Sequence, residues 1–400
     1  MELSFFPDVL QKNSRRCLPV DRFTSNISIN KTSSFAERAD NKSGLKPNLI
    51  FVRKYYNMEL GVGMFGDNHY DKNGKPQSAG QRLRELIEEI KLMDEVGLDF
   101  YGIGEHHRPD YAVSAPEIIL AAASTVTKNI KLGSAVSVVS SSDPVKLYQS
   151  FATIDQLSNG RAELVAGRGS FIESFPLFGY DLKDYDALFE EKLELLLKIN
   201  TENPITWKGK FRAALKDQQV LPRAVNDQLN IWVAIGGTPE SVLRAGKYGL
   251  PVIFAIIGGN PKQFQPLFEY YKKVFGHFEH DKTKFQVGVH MHTFFGEDSQ
   301  QTADEYYPVY AAQMNRIGVT RGWPPFQRQQ YDQGRSPDGH LIIGDATEAI
   351  DKILHMEELF GLTRFSAHMD VGGPSHSAMM KSIEIYGTKI APKVREALKK

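Results

Sequence analysis

The stretch DPVKLYQSFATIDQLSNGRAELVA, residues 143–166, decides the fold. Asp143 suits an N-cap and Pro144 the first helical position, so a helix is expected over Pro144–Leu157. Asn159-Gly160 closes it, and Ala162–Ala166 reads as a short buried strand. The same alternation continues in both directions. Upstream lie strands at Leu60–Phe65, Phe100–Gly104 and Ile130–Val139, separated by helices at Gln81–Val96 and Pro116–Thr127. Downstream come the helix Tyr185–Ile199 and strands at Ile231–Ile235, Val252–Ile257, Phe285–Phe295 and Arg364–Met369. Helices at Pro239–Lys247, Phe264–Phe275, Thr302–Met314, Ala346–Phe360 and Ser377–Leu398 complete the pattern. Strands alternating with helices argue a parallel sheet, and eight such units over 58–400 fit an α/β fold, a single (β/α)8 TIM barrel with insertions. A doubly wound open sheet is the alternative. Two long insertions stand out. Residues 201–230, placed after the fourth strand, are expected at the catalytic face and to shape specificity. Residues 317–343, beyond a helix, are expected at the opposite end.

Residues 1–57 differ in character. They are rich in Ser, Asn, Thr and Lys, with ten Lys/Arg against five Asp/Glu. They read as a disordered leader or an upstream extension before Met58. No compact apolar core marks a signal peptide, and Glu2, Asp8 and Asp21 argue against an acid-poor transit peptide. Asn26, Asn30 and Asn41 each begin an Asn-x-Ser/Thr sequon, as chance allows in such a composition.

Over all 400 residues, 48 Lys+Arg balance 48 Asp+Glu, which removes the electrostatic footprint of a nucleic-acid binder. The single cysteine, Cys17, excludes an internal disulfide and a cysteine-built zinc site. No apolar run approaches the roughly 18 residues of a membrane span. No membrane role is expected.

The motifs carry unequal weight. Gly61-Val62-Gly63-Met64-Phe65-Gly66 matches G-x-G-x-x-G, but its glycines lie inside a strand and a polar turn follows. A dinucleotide fingerprint needs a helix there, so these small residues are read as lining a crowded barrel interior. Glu105-His106-His107 ends the second strand, where barrel enzymes hold their chemistry. Neighbouring strand residues point to opposite faces, so the two histidines do not chelate one metal. With no His-x-His or carboxylate partner evident on an adjoining strand, no metal is expected. His106 or His107 is a candidate proton donor or acceptor.

Gly167-Arg168-Gly169-Ser170 follows the fourth strand. It offers close-approaching backbone N–H groups, a planar guanidinium and a hydroxyl. Gly236-Gly237-Thr238-Pro239-Glu240-Ser241 follows the fifth strand and opens a helix, whose N-terminus favours an anion unless Thr238 simply caps it. Two such turns on consecutive strands converge in a barrel and suit a phosphate ester, where one Arg–phosphate bond contributes about 1.5–3 kcal/mol. No G-x-S-x-G frame or Walker loop is present. Trp232, Phe294, Phe295 and Tyr306-Tyr307 read as core or pocket wall.

The order and spacing of these pieces resemble the bacterial luciferase-like flavin monooxygenases. The likeness is carried by Gly97–His107, Leu132–Val136, Asp143-Pro144-Val145, Leu157–Arg161, Gly167–Leu182 and Tyr248–Pro251. It covers 58–400 and none of 1–57. It implies a barrel that binds FMN, or in some branches F420. Arg168, Gly169, Ser170, Gly237, Thr238 and Ser241 would surround the flavin phosphate. A non-prolyl cis peptide at Ala135-Val136 would lie beneath the flavin rings. His106 would be the catalytic histidine, assisting proton transfer during oxygen activation. The luciferases carry a cysteine where this chain has Gly167. The resemblance further implies a small organic substrate, a separate NAD(P)H:flavin reductase and a cytoplasmic homodimer. The alternatives are an F420-dependent dehydrogenase, a non-catalytic flavin carrier, and a silent partner of an active subunit.

Overall fold

The computed structural model describes residues 58–399. The expectations for 1–57 lie outside them. In chain order the elements begin β1 (Glu59–Met64), α1 (Ala79–Glu95), β2 (Phe100–Ile103), α2 (Pro116–Ser124), β3 (Lys131–Ser134), β4 (Ser137–Val138), α3 (Pro144–Ser158) and β5 (Ala162–Gly167). Then come a short α4 (Ser174–Phe178), α5 (Tyr185–Thr201), the hairpin β6 (Ile205–Trp207) and β7 (Leu215–Gln218), β8 (Asn230–Ile235), α6 (Pro239–Tyr248), β9 (Val252–Ala255) and α7 (Gln265–His277). The chain continues through β10 (Val287–Phe295), α8 (Ser299–Arg321), α9 (Arg328–Arg335), β11 (Ile342–Gly344), α10 (Ala346–Phe360) and β12 (Arg364–His368). It ends with α11 (His376–Ile385), a π-helical turn Tyr386–Ile390 and α12 (Ala391–Leu398), so the expected last helix is interrupted rather than straight.

Eight parallel strands close on themselves in the order β1-β2-β3-β5-β8-β9-β10-β12, with β12 pairing back to β1. This is the expected (β/α)8 barrel. The unit that fixed the reading forms as anticipated. The Asp143 carboxylate accepts the Val145 and Lys146 N–H groups, and Asn159 ends α3 in the left-handed region at φ 56°. Leu147, Tyr148, Phe151 and Ile154 turn one face of α3 onto the barrel. The expected strand Ile130–Val139 is two strands, β3 and β4, separated by a cis peptide at Ala135–Val136.

Both insertions lie elsewhere than expected. Residues 201–230 follow helix α5, not a strand, so they root at the N-terminal end of the barrel. Their hairpin folds back up the outside. Glu191 of α5 accepts the N–H groups of Lys210 and Phe211, and Arg212 pairs with Asp143 at 2.9 Å. The second insertion begins directly after β10 and reaches the true barrel helix, α10, only at Ala346. It therefore sits at the catalytic end. Its helix α8 is longer than the expected 302–314 and crosses the mouth. Tyr306 donates to Val371 O, Tyr310 pairs with His292, Gln313 donates to Tyr111, and Arg321 reaches Ser170 O.

The N-terminal end of the barrel is plugged by ions. Arg364 lies between the rings of Phe100 and Trp232, 4.3 and 4.1 Å from their centroids. It donates to Glu163 at 2.7 Å and pairs with Glu59, while Lys131 joins both glutamates. Gly63 is small for a packing reason. A Cβ there would come within 2.7 Å of the His290 ring and 2.8 Å of Ser366 Oγ. The G-x-G-x-x-G of β1 is thus an interior lining, as expected. Among the described residues no helix is long and apolar enough to cross a membrane.

Candidate active site at the barrel mouth

The two glycine-bearing turns after β5 and β8 meet. Arg168 donates to Ser241 Oγ at 3.2 Å, and Ser241 Oγ lies 2.9 Å from Thr238 Oγ1. Thr238 occupies the N-cap position of α6 with extended backbone, yet its side chain makes no capping bond. The simple-capping alternative therefore fails. The first-turn N–H groups of α6 receive no side-chain cap, and a helix N-terminus in that state attracts an anion. Arg168 also pairs with the exposed Asp186 at 2.7 Å and lies over the Tyr185 ring. Gly169 and Gly237 both have positive φ, and Ser170 is exposed at the rim.

Ala135 and Val136 lie half-buried beside this cluster. Their conformation is pinned from both neighbours. Ala135 donates to Ile103 O, Glu105 N–H donates to Val136 O, and Val138 N–H donates to the Glu105 carboxylate at 2.8 Å. A Cβ built on Gly167 would overlap Val136 Cγ2 and lie 2.7 Å from its Cβ. The glycine that departs from the luciferase cysteine is thus the counterpart of a bulky residue at 136.

The adjacent histidines do point apart. His106 is buried and stacks on Tyr111 at 4.2 Å, with Phe65 at 4.6 Å and Phe171 at 5.6 Å. Burial, with His368 nearby, pushes its pKa down to about 3, so the ring is neutral at physiological pH. Its Nδ1 has no hydrogen-bond partner among the described residues. His107 instead pairs with Glu105 at 3.0 Å. Through Glu105, which accepts the Val138 N–H, it braces the strand after the cis peptide. Phe171 belongs to the loop that carries Arg168, so it links the histidine to the Arg168–Ser241–Thr238 cluster.

Several residues at this mouth were not singled out from sequence. His290 and His292 alternate on β10 and both point inward, and His368 and Asp370 end β12. The rings of His290 and His368 lie 4.8 Å apart, and His292 lies 5.0 Å from His368. The signal was present as His290-Met291-His292, two imidazoles at period two in a mostly apolar strand. Burial holds the pKa values of His290 and His292 well below the ordinary range.

Asp67, His368 and Asp370 bring possible metal-ligating atoms within 4.8 Å of one another. Their surroundings suit a different task. Asp370 accepts the N–H groups of Phe65, Gly66 and Asp67, and Asp67 accepts that of Gly372. Arg82 stands 3.8 Å from Asp370. These oxygens already face donors and a guanidinium, so the pair clasps the β1 loop to the β12 loop. Burial alone would raise the Asp370 pKa. His368 and Arg82 outweigh it and hold the carboxyl below the usual range, whereas burial and Asp370 push Asp67 well above it.

The sequence model of the luciferase-like monooxygenases matches residues 58–363. The chain belongs to that family. It is 24% identical over 341 residues to 4-hydroxyprotoasukamycin monooxygenase of Streptomyces nodosus subsp. asukaensis, covering 80% of this chain and 90% of that protein. It is 25% identical over 336 residues to the oxygenase component of a flavin-dependent trigonelline monooxygenase from Acinetobacter baylyi, covering 76% and 88%. The fold matches the oxygenating constituent of 3,6-diketocamphane monooxygenase from Pseudomonas putida, solved with FMN. The TM-score is 0.66 and the identity 20%, over 84% of this chain and 98% of that one. It also matches the F420-dependent tetrahydromethanopterin reductase of Methanopyrus kandleri, with a TM-score of 0.63 and 17% identity over 84% and 99%. At these identities the structural matches speak for the fold alone.

Proposed function

We propose that this enzyme is the oxygenase component of a two-component system that takes reduced FMN from a separate NAD(P)H:flavin reductase and oxygenates a small organic substrate. The observation that carries the reading is the Arg168–Ser241–Thr238 cluster at the uncapped N-terminus of α6, a cradle suited to a phosphate monoester. Reduced flavin supplies the electrons that activate O2. The chain's own residues do the rest. Arg168, Ser241, Thr238 and the α6 N–H groups hold the phosphate, with Gly169, Ser170 and Gly237 completing the turns. Ala135, Val136 and Gly167 form the floor. His106, neutral and with Nδ1 unpaired, takes a proton at one ring nitrogen and gives one from the other. Tyr111 keeps its phenolic proton, because burial raises its pKa well above the ordinary value. Gln313 donates to its oxygen, which leaves the O–H free to donate. Helix α8 crosses the mouth and limits the entry of water. A relative described as an oxygenase component supports the separate reductase, and the family resemblance supports a cytoplasmic homodimer. F420 is the competing cofactor, since its enzymes share the scaffold.

An anaerobic titration with reduced FMN tests the reading. Wild type should bind FMN in preference to F420, and Arg168→Ala should weaken FMN binding about 10- to 100-fold. Tight F420 binding without FMN binding would replace the oxygenase by a dehydrogenase. Unchanged FMN affinity in Arg168→Ala would remove the phosphate assignment.

A further inference from the structure

Buried polar atoms without partners are uncommon, because each carries an uncompensated desolvation penalty. The barrel mouth concentrates them. Among the described residues, His290 Nε2, both ring nitrogens of His368 and Nδ1 of His106 are buried without a hydrogen bond. His368 Nε2 faces the Asp370 carboxylate at 3.2 Å, so of its two nitrogens Nδ1 is the one left for a ligand. His290 is held for a purpose. Its Nδ1 bonds Ser366 Oγ at 3.0 Å, and Gly63 leaves the room the ring fills. With Nδ1 occupied, the unpaired Nε2 is the atom left to meet a ligand. Phe65 joins the three rings. It lies 4.2 Å from His368, 4.6 Å from His106 and 5.7 Å from His290, nearly parallel to the last. It is only half-buried, so part of its surface faces the mouth.

We propose that His290, with His368 and His106, forms the polar end of the substrate pocket, and that the substrate is an uncharged ring compound bearing a hydroxyl or carbonyl oxygen, stacked on Phe65. This rests on the oxygenase reading above. The chemistry follows from which groups are unspent. A neutral imidazole nitrogen can accept from a hydroxyl or donate to a carbonyl. An anion would meet the Asp370 carboxylate beside His368, while Arg82 is held by Glu89 at 2.8 Å. A cation would find the Asp370 oxygens engaged by three backbone N–H groups.

The test uses four methyl-substituted six-membered-ring probes on the full chain: p-cresol, 4-methylcyclohexanone, toluene and 4-methylbenzoate. Affinities are read by titration calorimetry with and without FMN. Wild type should bind p-cresol and the ketone at least about tenfold more tightly than toluene or 4-methylbenzoate. His290→Phe keeps a flat ring and removes the nitrogens, so the preference over toluene should fall below about threefold. Ser366→Ala, which frees the ring to rotate, should reduce the preference part way, and it decides the matter if circular dichroism shows His290→Phe misfolded. Equal binding of toluene and p-cresol to wild type overturns the proposal, as does an unchanged preference in the folded variants. Loss of FMN binding with the preference intact would instead overturn the flavin reading and leave this site standing.

Discussion

The two ends of one barrel interior differ in how far their titratable side chains are answered within the chain. At the N-terminal end Arg364, Glu59, Glu163 and Lys131 each have a counter-ion, and Asn230 adds a donor to Glu163. At the mouth four imidazoles crowd together with several nitrogens unpaired. The paired end is a closed plug, in which each charge is answered within the chain. The unpaired end holds hydrogen-bonding capacity in reserve. In a barrel whose chemistry lies at the C-terminal face, that reserve marks where a ligand completes the set.

The sharpest way to break this comparison is Arg364→Met. It leaves Glu163 buried with its principal partner gone, and such a loss destabilises by about 3–5 kcal/mol. His290→Phe at the other end removes one unpaired nitrogen but also the partner of the buried Ser366 hydroxyl, and should cost about 1–2 kcal/mol, less than Arg364→Met. Urea unfolding of the two variants at neutral pH checks both. Equal losses would mean the mouth is structural after all.

Acid separates the ends by pH window. Folding depresses the pKa values of His106, His290 and His292, so the unfolded chain binds protons there first. Stability is therefore full above about pH 6.5 and falls as pH drops below it. Burial would raise the Glu163 pKa, but Arg364 and Lys131 hold it below the ordinary value. Its contribution is present above about pH 4.3 and is lost only below that. His290→Phe should flatten the stability profile between pH 6.5 and 5, and Glu163→Gln should leave that window unchanged. The reverse assignment of windows would contradict the two environments.

The smallest effect is expected between the extremes, at the rim. Asp186 is exposed and pairs with Arg168 where a phosphate would sit. Exposed ion pairs contribute about 0–1 kcal/mol, so Asp186→Asn should tighten FMN binding by no more than about fivefold. Weaker binding would show that Asp186 orients the guanidinium rather than competing for it.

Much of the architecture was legible along the chain. The strand–helix alternation, the two glycine-bearing turns after β5 and β8 and the opposed histidines of residues 106 and 107 are local patterns, fixed by propensity, capping and period. Placement of the insertions was not. A helical pattern over 302–314 serves equally for a helix on the barrel wall or across its mouth, because both bury part of its surface. Only the pairing of β11 beside the last residues of β10 shows that the barrel helix comes later. The imidazole cluster was hidden for a related reason. His290 and His368 are 78 residues apart, and each by itself reads as a polar residue in a strand.

The sequence by itself determined the barrel, its closing elements and the place of two glycine-bearing turns, because hydrogen-bonded backbone and short-range side-chain pattern suffice for these. The tertiary structure decided which insertion covers the mouth, which histidines share a pocket and which polar atoms lack a partner. Those are properties of residues far apart in the chain. They are set by strand register and barrel closure, and no local pattern encodes them.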